Sequence, residues 1–225
     1  MTWWKRLIWV GCAFLALALY MLPMLFQQLA ITYQFPKQWT IGLGLSLIFL
    51  TLLVFVVVAK KTGILSQSGK IFQKGDGKRI ALGLLGMLLI SVLGTVLLRW
   101  LHGEATTANQ ASLMEEFRRG NTMLLAIMLG VLAPIAEEII FRGIIPLKIF
   151  KDYESWGYII GGLLFAIFHG PTNIMSFVIY GGASVILTLL AYRTQRLEVS
   201  IAVHMLNNGL PAILMLLISI FGVEV

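Results

Sequence analysis

Long apolar runs separated by short polar segments make up most of this chain. The runs cover residues 7–26, 39–59, 80–101, 122–149, 156–170, 173–191 and 199–222. A helix needs about 20 apolar residues to cross the hydrocarbon core of a bilayer, and every run except the fifth is near that length. The pattern therefore predicts an all-α fold, a polytopic transmembrane helix bundle with about seven spans.

Composition supports this fold class. Hydrophobic residues make up 59% of the 225 positions, charged residues 12%, and the mean hydropathy is +0.90. An ordinary soluble domain carries about 25% charged residues. The chain has room for one bundle, so we expect a three-span region at 1–119 and a region with the polar motifs at 120–225 to fold together.

The charges between the runs predict an orientation. Basic residues dominate the loop at 60–79, which contains Lys60, Lys61, Lys70, Lys74, Lys78 and Arg79 against Asp76. The positive-inside rule places this loop and the amino terminus in the cytoplasm. Seven crossings then put the carboxyl-terminal Glu224 outside and four further basic residues inside, namely Lys148, Lys151, Arg193 and Arg196. The loop at 102–121 has no positive excess and is expected outside.

Two other readings of the basic residues fail. The net charge of +7 comes from residues that flank apolar runs without interleaved aromatic residues, so we predict the lipid bilayer as a partner and no nucleic acid. The first run follows Lys5 and Arg6, but it is long for a signal peptide and no small-x-small cleavage pattern follows it. We expect a retained membrane anchor.

Ionisable residues interrupt the fourth run at Glu137, Glu138 and Arg142. A charge near the bilayer centre costs about 2.5–3.5 kcal/mol even on lenient scales, and such residues usually serve chemistry or transport. Glu138 and Arg142 share a helix face and can pair. Glu137 points about 100° away, has no local partner, and is a candidate proton acceptor and donor. For Glu138 and Arg142 taken alone, a structural ion pair is the alternative.

Two histidines lie in later apolar runs. Phe165 and His169 share a helix face, and the Gly-Pro sequence that follows predicts the end of the helix. His204 and Asn208 are also four residues apart, so two neutral donors can point at one position, as an oxyanion requires. Hydrogen bonding between helices is the alternative for this second pair.

Depth along the helices agrees for two of these residues and not for the third. At about 1.5 Å per residue, Glu137 lies about 22 Å from residue 122, and His204 about 8 Å from residue 199. In a core of about 30 Å the two depths coincide. His169 comes out about 20 Å from residue 156, which requires a tilted or recessed fifth helix, or a different boundary.

Three motifs in this order resemble one family. Glu-Glu-x-x-x-Arg at 137–142, Phe-x-x-x-His at 165–169 and His-x-x-x-Asn at 204–208 are similar to the CPBP intramembrane proteases. That family contains the type II CAAX prenyl endopeptidase and bacterial Abi-type proteins linked to bacteriocin processing and self-immunity. The resemblance covers roughly residues 120–222, so it implies a CPBP-like catalytic core at 120–225.

The resemblance implies a role for each residue. Glu137 activates a water with help from His169, and His204 with Asn208 stabilises the oxyanion. Glu138 and Arg142 orient the helix and the substrate. A peptide or membrane-protein substrate and a bacterial cell membrane are implied by the resemblance alone, while the oligomeric state is not predicted.

Metal dependence and two other functions stay open. Glu137, His169 and His204 are candidate zinc ligands, and the family is often labelled as metalloproteases. No His-Glu-x-x-His sequence is present, and we favour a metal-free glutamate mechanism. A small proton-coupled transporter would also use these residue types. A non-catalytic membrane regulator or immunity partner is the remaining alternative.

Small residues four positions apart also predict how the helices pack. The spacings at Ala126/Gly130 and Gly157/Gly161 predict close helix packing.

Overall fold

The computed structural model describes residues 1–66 and 71–221. Within these ranges the chain forms eight helices and no strand. They are α1 (Trp3–Thr32), α2 (Lys37–Lys61), α3 (Asp76–His102), α4 (Ala108–Arg119), α5 (Thr122–Ile149), α6 (Glu154–Phe168), α7 (Ile174–Thr194) and α8 (Leu197–Phe221). The predicted polytopic helical bundle is confirmed. Lys70 and Glu224, used above to predict orientation, lie outside the described residues.

Six of these helices are long and apolar enough to cross a membrane: α1, α2, α3, α5, α7 and α8. The fifth predicted span is different. Its helix, α6, has 15 residues, or about 22 Å, which is shorter than a core of about 30 Å. Residues 169–173 continue from it without helix before α7 begins. The fifth run was also the one apolar run that fell short of a full span in the sequence.

The polar segment at 108–119 is also helical. Its first turn is capped by Thr107, whose side chain accepts a hydrogen bond from the backbone of Gln110. This segment was expected only as part of an external loop. A search for apolar runs does not detect α4, because most of its residues are polar and its large apolar residues lie on one face only.

The helix that carries both glutamates is the central element. In α5, 78% of the apolar window is buried within the protein, against 17–33% in the other five long helices. It packs against α1, α6 and α8. The costly charges are therefore shielded from lipid by neighbouring helices, as expected for ionisable residues in a membrane bundle.

Within α5 the hydrogen-bond register changes around the glutamates. Thr122–Ile127 and Ala133–Glu138 are α-helical, whereas Met128–Leu132 and Ile139–Ile149 are π-helical. Such i→i+5 segments are rare and occur often at functional sites.

The length of α5 also matters for the depth of its residues. With 28 residues, α5 is longer than a membrane core requires, so a distance counted from its end is not a depth in the membrane. This explains why the sequence estimate separated Glu137 from His169.

Glycines allow α6 and α8 to approach α5 closely. A Cβ added at Gly161 would lie 2.1 Å from the carbonyl oxygen of Phe141, a backbone atom of α5. A Cβ added at Gly130 would lie 3.2 Å from the Cα of Gly209 in α8. The predicted close packing at Gly130 and Gly161 is thus observed, and it brings both histidine-bearing helices against the glutamate helix.

Polar contacts join several basic segments at one end of the bundle. Arg6 pairs with Asp152 at 2.7 Å, and Arg196 pairs with Asp76 at 2.8 Å. Lys148 donates to the backbone carbonyl of Thr62. The amino-terminal segment, the α2–α3 and α5–α6 connections and the α7–α8 turn therefore share one end, as the count of crossings required.

Candidate active site

The predicted pair between Glu138 and Arg142 forms, and both side chains are fully buried. Arg142 donates from Nη1 to Glu138 Oε1 at 2.9 Å. Its Nη2 donates to Ser184 Oγ at 2.8 Å, and its guanidinium lies over the Phe165 ring at 4.1 Å. Ser200 donates a short hydrogen bond to Glu138 Oε2. A buried charge pair needs such additional hydrogen bonds, because both ions have lost their hydration.

Glu138 also orients His204. The Nδ1 atom of His204 lies 3.0 Å from Glu138 Oε1, and the imidazole is buried with 2% of its residue surface exposed. A carboxylate can only accept, so Nδ1 carries the proton. The other ring nitrogen, Nε2, faces Glu137, with 3.8 Å between Nε2 and Glu137 Oε2.

Glu137 is buried and has one direct partner. Its Oε1 accepts a hydrogen bond of 2.9 Å from the Tyr20 hydroxyl in α1. Its Oε2 is buried without a hydrogen-bond partner among the described residues. Two imidazole nitrogens are near this oxygen: Nε2 of His204 at 3.8 Å and Nε2 of His169 at 4.0 Å. Sequence reasoning had found no local partner for Glu137, and the observed one is 117 residues away.

His169 follows the last residue of α6 and is held by that helix. Its Nδ1 lies 2.8 Å from the backbone carbonyl of Phe165, so this nitrogen donates and Nε2 carries the lone pair in the neutral ring. The ring packs between Phe165 and Tyr180, with centroid separations of 4.4 and 4.8 Å. Gly170 then adopts a φ of +60°, which ends the helix as the Gly-Pro sequence predicted.

Asn208 is placed differently from the other five predicted residues. Its Oδ1 accepts a hydrogen bond of 3.0 Å from Asn207, and within the described part of the chain its side chain bonds neither the carboxylates nor the imidazoles. Its predicted donation to an oxyanion stays a prediction. The structure thus gathers Glu137, Glu138, Arg142, His169 and His204 into one buried cluster, with Asn208 one turn beyond His204.

Sequence reasoning missed four further side chains of this cluster: Tyr20, Ser184, Thr188 and Ser200. They lie in apolar runs on three different helices, α1, α7 and α8. A serine, threonine or tyrosine in a spanning helix is common, so composition alone did not distinguish them. Helix spacing offers a signal only for Ser200, which precedes His204 by one turn and shares its face.

The cluster does not have the geometry of a metal centre. Tetrahedral zinc with ligand distances of about 2.0–2.1 Å holds its ligand atoms roughly 3.3 Å apart. Here the separations from Glu137 Oε2 are 3.8 and 4.0 Å. Among the described residues, no group of three His, Cys, Asp or Glu side chains qualifies as a metal site.

Two cavities lie away from this cluster. One of about 610 Å³ is lined by residues of α2, α4, α5 and α8, including Lys37, Arg118 and Met215. Another of about 340 Å³ is lined by residues that include Tyr158 and Arg196. None of the six predicted site residues lines either cavity, so the buried polar cluster itself identifies the site.

Fold and site together define an integral multi-pass membrane protein in which two histidines from neighbouring helices meet a buried glutamate on the central helix. Residues 119–210 match the family model for the type II CAAX prenyl endopeptidase Rce1-like proteins. That segment contains all six predicted residues and excludes α1, α2 and α3. The resemblance to the CPBP intramembrane proteases is confirmed for this segment.

A curated relative extends the match beyond this segment. The chain is 29% identical over 160 residues to the UPF0177 protein YvdC of Lactococcus lactis subsp. lactis (strain IL1403), which covers 71% of this chain. The match spans 60% of that protein's own length. No solved structure matches this chain.

Proposed function

We propose that this protein is an intramembrane endopeptidase that hydrolyses a peptide bond of a membrane-associated protein or peptide. One observation carries the proposal: the unpartnered Oε2 of buried Glu137 lies 3.8 and 4.0 Å from the Nε2 atoms of His204 and His169. A water molecule in contact with these atoms has a base on one side and an imidazole on the other. This is the arrangement that general-base hydrolysis needs.

In the proposed reaction Glu137 is the proton carrier. His169 Nε2 accepts a hydrogen bond from one O–H of the water, and Glu137 Oε2 removes the proton of the other O–H as the water oxygen attacks the scissile carbonyl carbon. The carbonyl π electrons move to oxygen, giving a tetrahedral oxyanion. The C–N bond then breaks, and the proton on Glu137 passes to the leaving nitrogen. The products are a carboxylic acid and an amine, and Glu137 is again a carboxylate.

His204 is the proposed oxyanion donor, in a charged form. Its Nδ1 proton is already donated to Glu138, so Nε2 can donate only when the ring is an imidazolium. Glu138 carries a single negative charge and already pairs with Arg142, so the charge that balances this imidazolium is that of the Glu137 carboxylate before the attack and that of the oxyanion after it. The sequence had suggested a neutral donor. Asn208 adds a second donor if its side chain turns from Asn207 toward the substrate.

The test compares membranes that contain wild type, Glu137→Gln or His169→Ala, with new peptide termini quantified by mass spectrometry. Glu137→Gln keeps the shape of the side chain and removes its basicity, so we expect the product to fall by about 100- to 10,000-fold. Glu115→Gln, which alters a half-buried glutamate of α4 that is remote from the cluster in sequence and pairs with Arg119, is the matched control and should keep full activity.

The same comparison separates this proposal from the alternatives. A product of unchanged amount from Glu137→Gln excludes Glu137 as the base. Proton-coupled flux of a solute without any cleavage product identifies a transporter. A cellular phenotype that survives Glu137→Ala identifies a regulator or immunity partner that acts by binding.

We also propose that the protein lies in a bacterial cell membrane with its amino terminus in the cytoplasm. The proposal is supported by the contacts that join the basic segments at one end of the bundle, since basic loops are retained inside. The source of the curated relative is consistent with a bacterial membrane.

A further inference from the structure

Tyr20 is the one direct hydrogen-bond partner of Glu137 among the described residues, and it comes from outside the region matched by the family model. It lies in the middle of α1, whereas the match begins at residue 119. Its hydroxyl donates to Glu137 Oε1 at 2.9 Å, and its ring is 6.4 Å from that of Phe168, at the end of the helix that holds His169. Tyr20 therefore contacts the proposed base and also lies near the end of the helix that holds His169.

The contact distinguishes the two oxygens of one carboxylate. The last torsion of a glutamate side chain is broad and roughly two-fold, so nothing intrinsic to Glu137 decides which oxygen faces the imidazoles. The Tyr20 hydroxyl occupies Oε1, and the unpartnered Oε2 is the oxygen near both Nε2 atoms. Without the hydroxyl, the carboxylate is free to turn.

We propose that Tyr20 is a positioning residue for hydrolysis, holding Glu137 so that Oε2 receives the proton of the attacking water. This inference rests on the proposed function of Glu137. It makes α1 part of the catalytic unit, so the segment with the three motifs is incomplete without the first helix. Tyr20 donates throughout the reaction and exchanges no proton with the substrate.

A purely structural role for Tyr20 has different consequences. A partly buried tyrosine normally satisfies its hydroxyl with whatever acceptor is near, and its ring contributes to packing. Removing the hydroxyl would then lower stability and leave the turnover of folded protein unchanged. The positioning role instead predicts a loss of turnover in protein that remains folded.

The experiment uses Tyr20→Phe, which removes only the hydroxyl, in the purified full chain reconstituted into liposomes. The probe is a synthetic copy of the membrane peptide whose cleavage depends on Glu137. We expect kcat to fall about 10- to 100-fold, the range for a lost hydrogen bond to a charged group, with KM within about twofold. Tyr33→Phe makes the same chemical change at an exposed tyrosine beside the end of α1 and should match wild type.

An infrared measurement keeps this test independent of activity. The carboxyl band that disappears in Glu137→Gln is assigned to Glu137, and its frequency should shift in Tyr20→Phe and not in Tyr33→Phe. An unshifted band, or wild-type kcat in Tyr20→Phe whatever its unfolding temperature, overturns the positioning role. If Glu137→Gln still cleaves the peptide, the proposed function fails, and the band shift then reports only a structural contact.

Discussion

Substitution of Gly161 by alanine tests how closely α6 must approach α5 for the site to form. The added Cβ would lie 2.1 Å from the carbonyl oxygen of Phe141, where ordinary contact begins at 3.4 Å. The obstacle is backbone and cannot rotate away. In a π-helix the carbonyl of Phe141 would accept a hydrogen bond from the residue five positions further on. That residue is Pro146, which has no N–H and therefore cannot make this bond.

The expected magnitude follows from this overlap. Relief of the contact requires α6 to move away from α5 by roughly 1 Å, and His169 lies at the end of the same helix. A displacement of about 1 Å at a catalytic group can reduce the rate about 100-fold. Overpacking of this kind also costs about 1–3 kcal/mol of stability. We therefore expect Gly161→Ala to be folded, less stable and nearly inactive.

The assay measures cleavage of the Glu137-dependent peptide and thermal unfolding in detergent for the same preparation. Gly181→Ala in α7 is the matched control, because its added Cβ would meet only a ring atom of Phe177 at 4.0 Å. The control should keep wild-type activity and unfolding temperature. Wild-type cleavage by Gly161→Ala would refute the argument that close approach of α6 sets the geometry of His169.

Three other predictions concern charge, metal and topology. Glu138→Gln leaves buried Arg142 without its counter-ion and should lower the free energy of unfolding by about 3–5 kcal/mol; a change below 1 kcal/mol in denaturant unfolding contradicts this. Because the proposed mechanism uses Glu137 without a metal, a chelator should leave cleavage unchanged. Loss of cleavage with chelator and its recovery with zinc would refute the metal-free mechanism. In a Cys12→Ser background, Lys74→Cys should react with impermeant thiol reagents only from the cytoplasmic side and Ala105→Cys only from outside; the opposite labelling refutes the orientation.

The sequence by itself determined the helical membrane bundle, because the length and composition of apolar runs report directly on the cost of placing a segment in lipid. It also predicted two local contacts correctly in which both partners lie on one helix. Glu138 and Arg142 pair as their spacing required, and His169 ends its helix beside Phe165. Spacing within a helix fixes such neighbours because the helix geometry is regular.

Only the tertiary structure decided how these local features combine. Tyr20 reaches Glu137 across 117 residues and Ser200 reaches Glu138 across 62, and no periodicity records contacts at such separations. The contact of His204 with Glu138 likewise depends on how α8 is rotated against α5. Hydropathy measures what a residue costs in lipid, whereas helix packing determines which buried polar groups face each other.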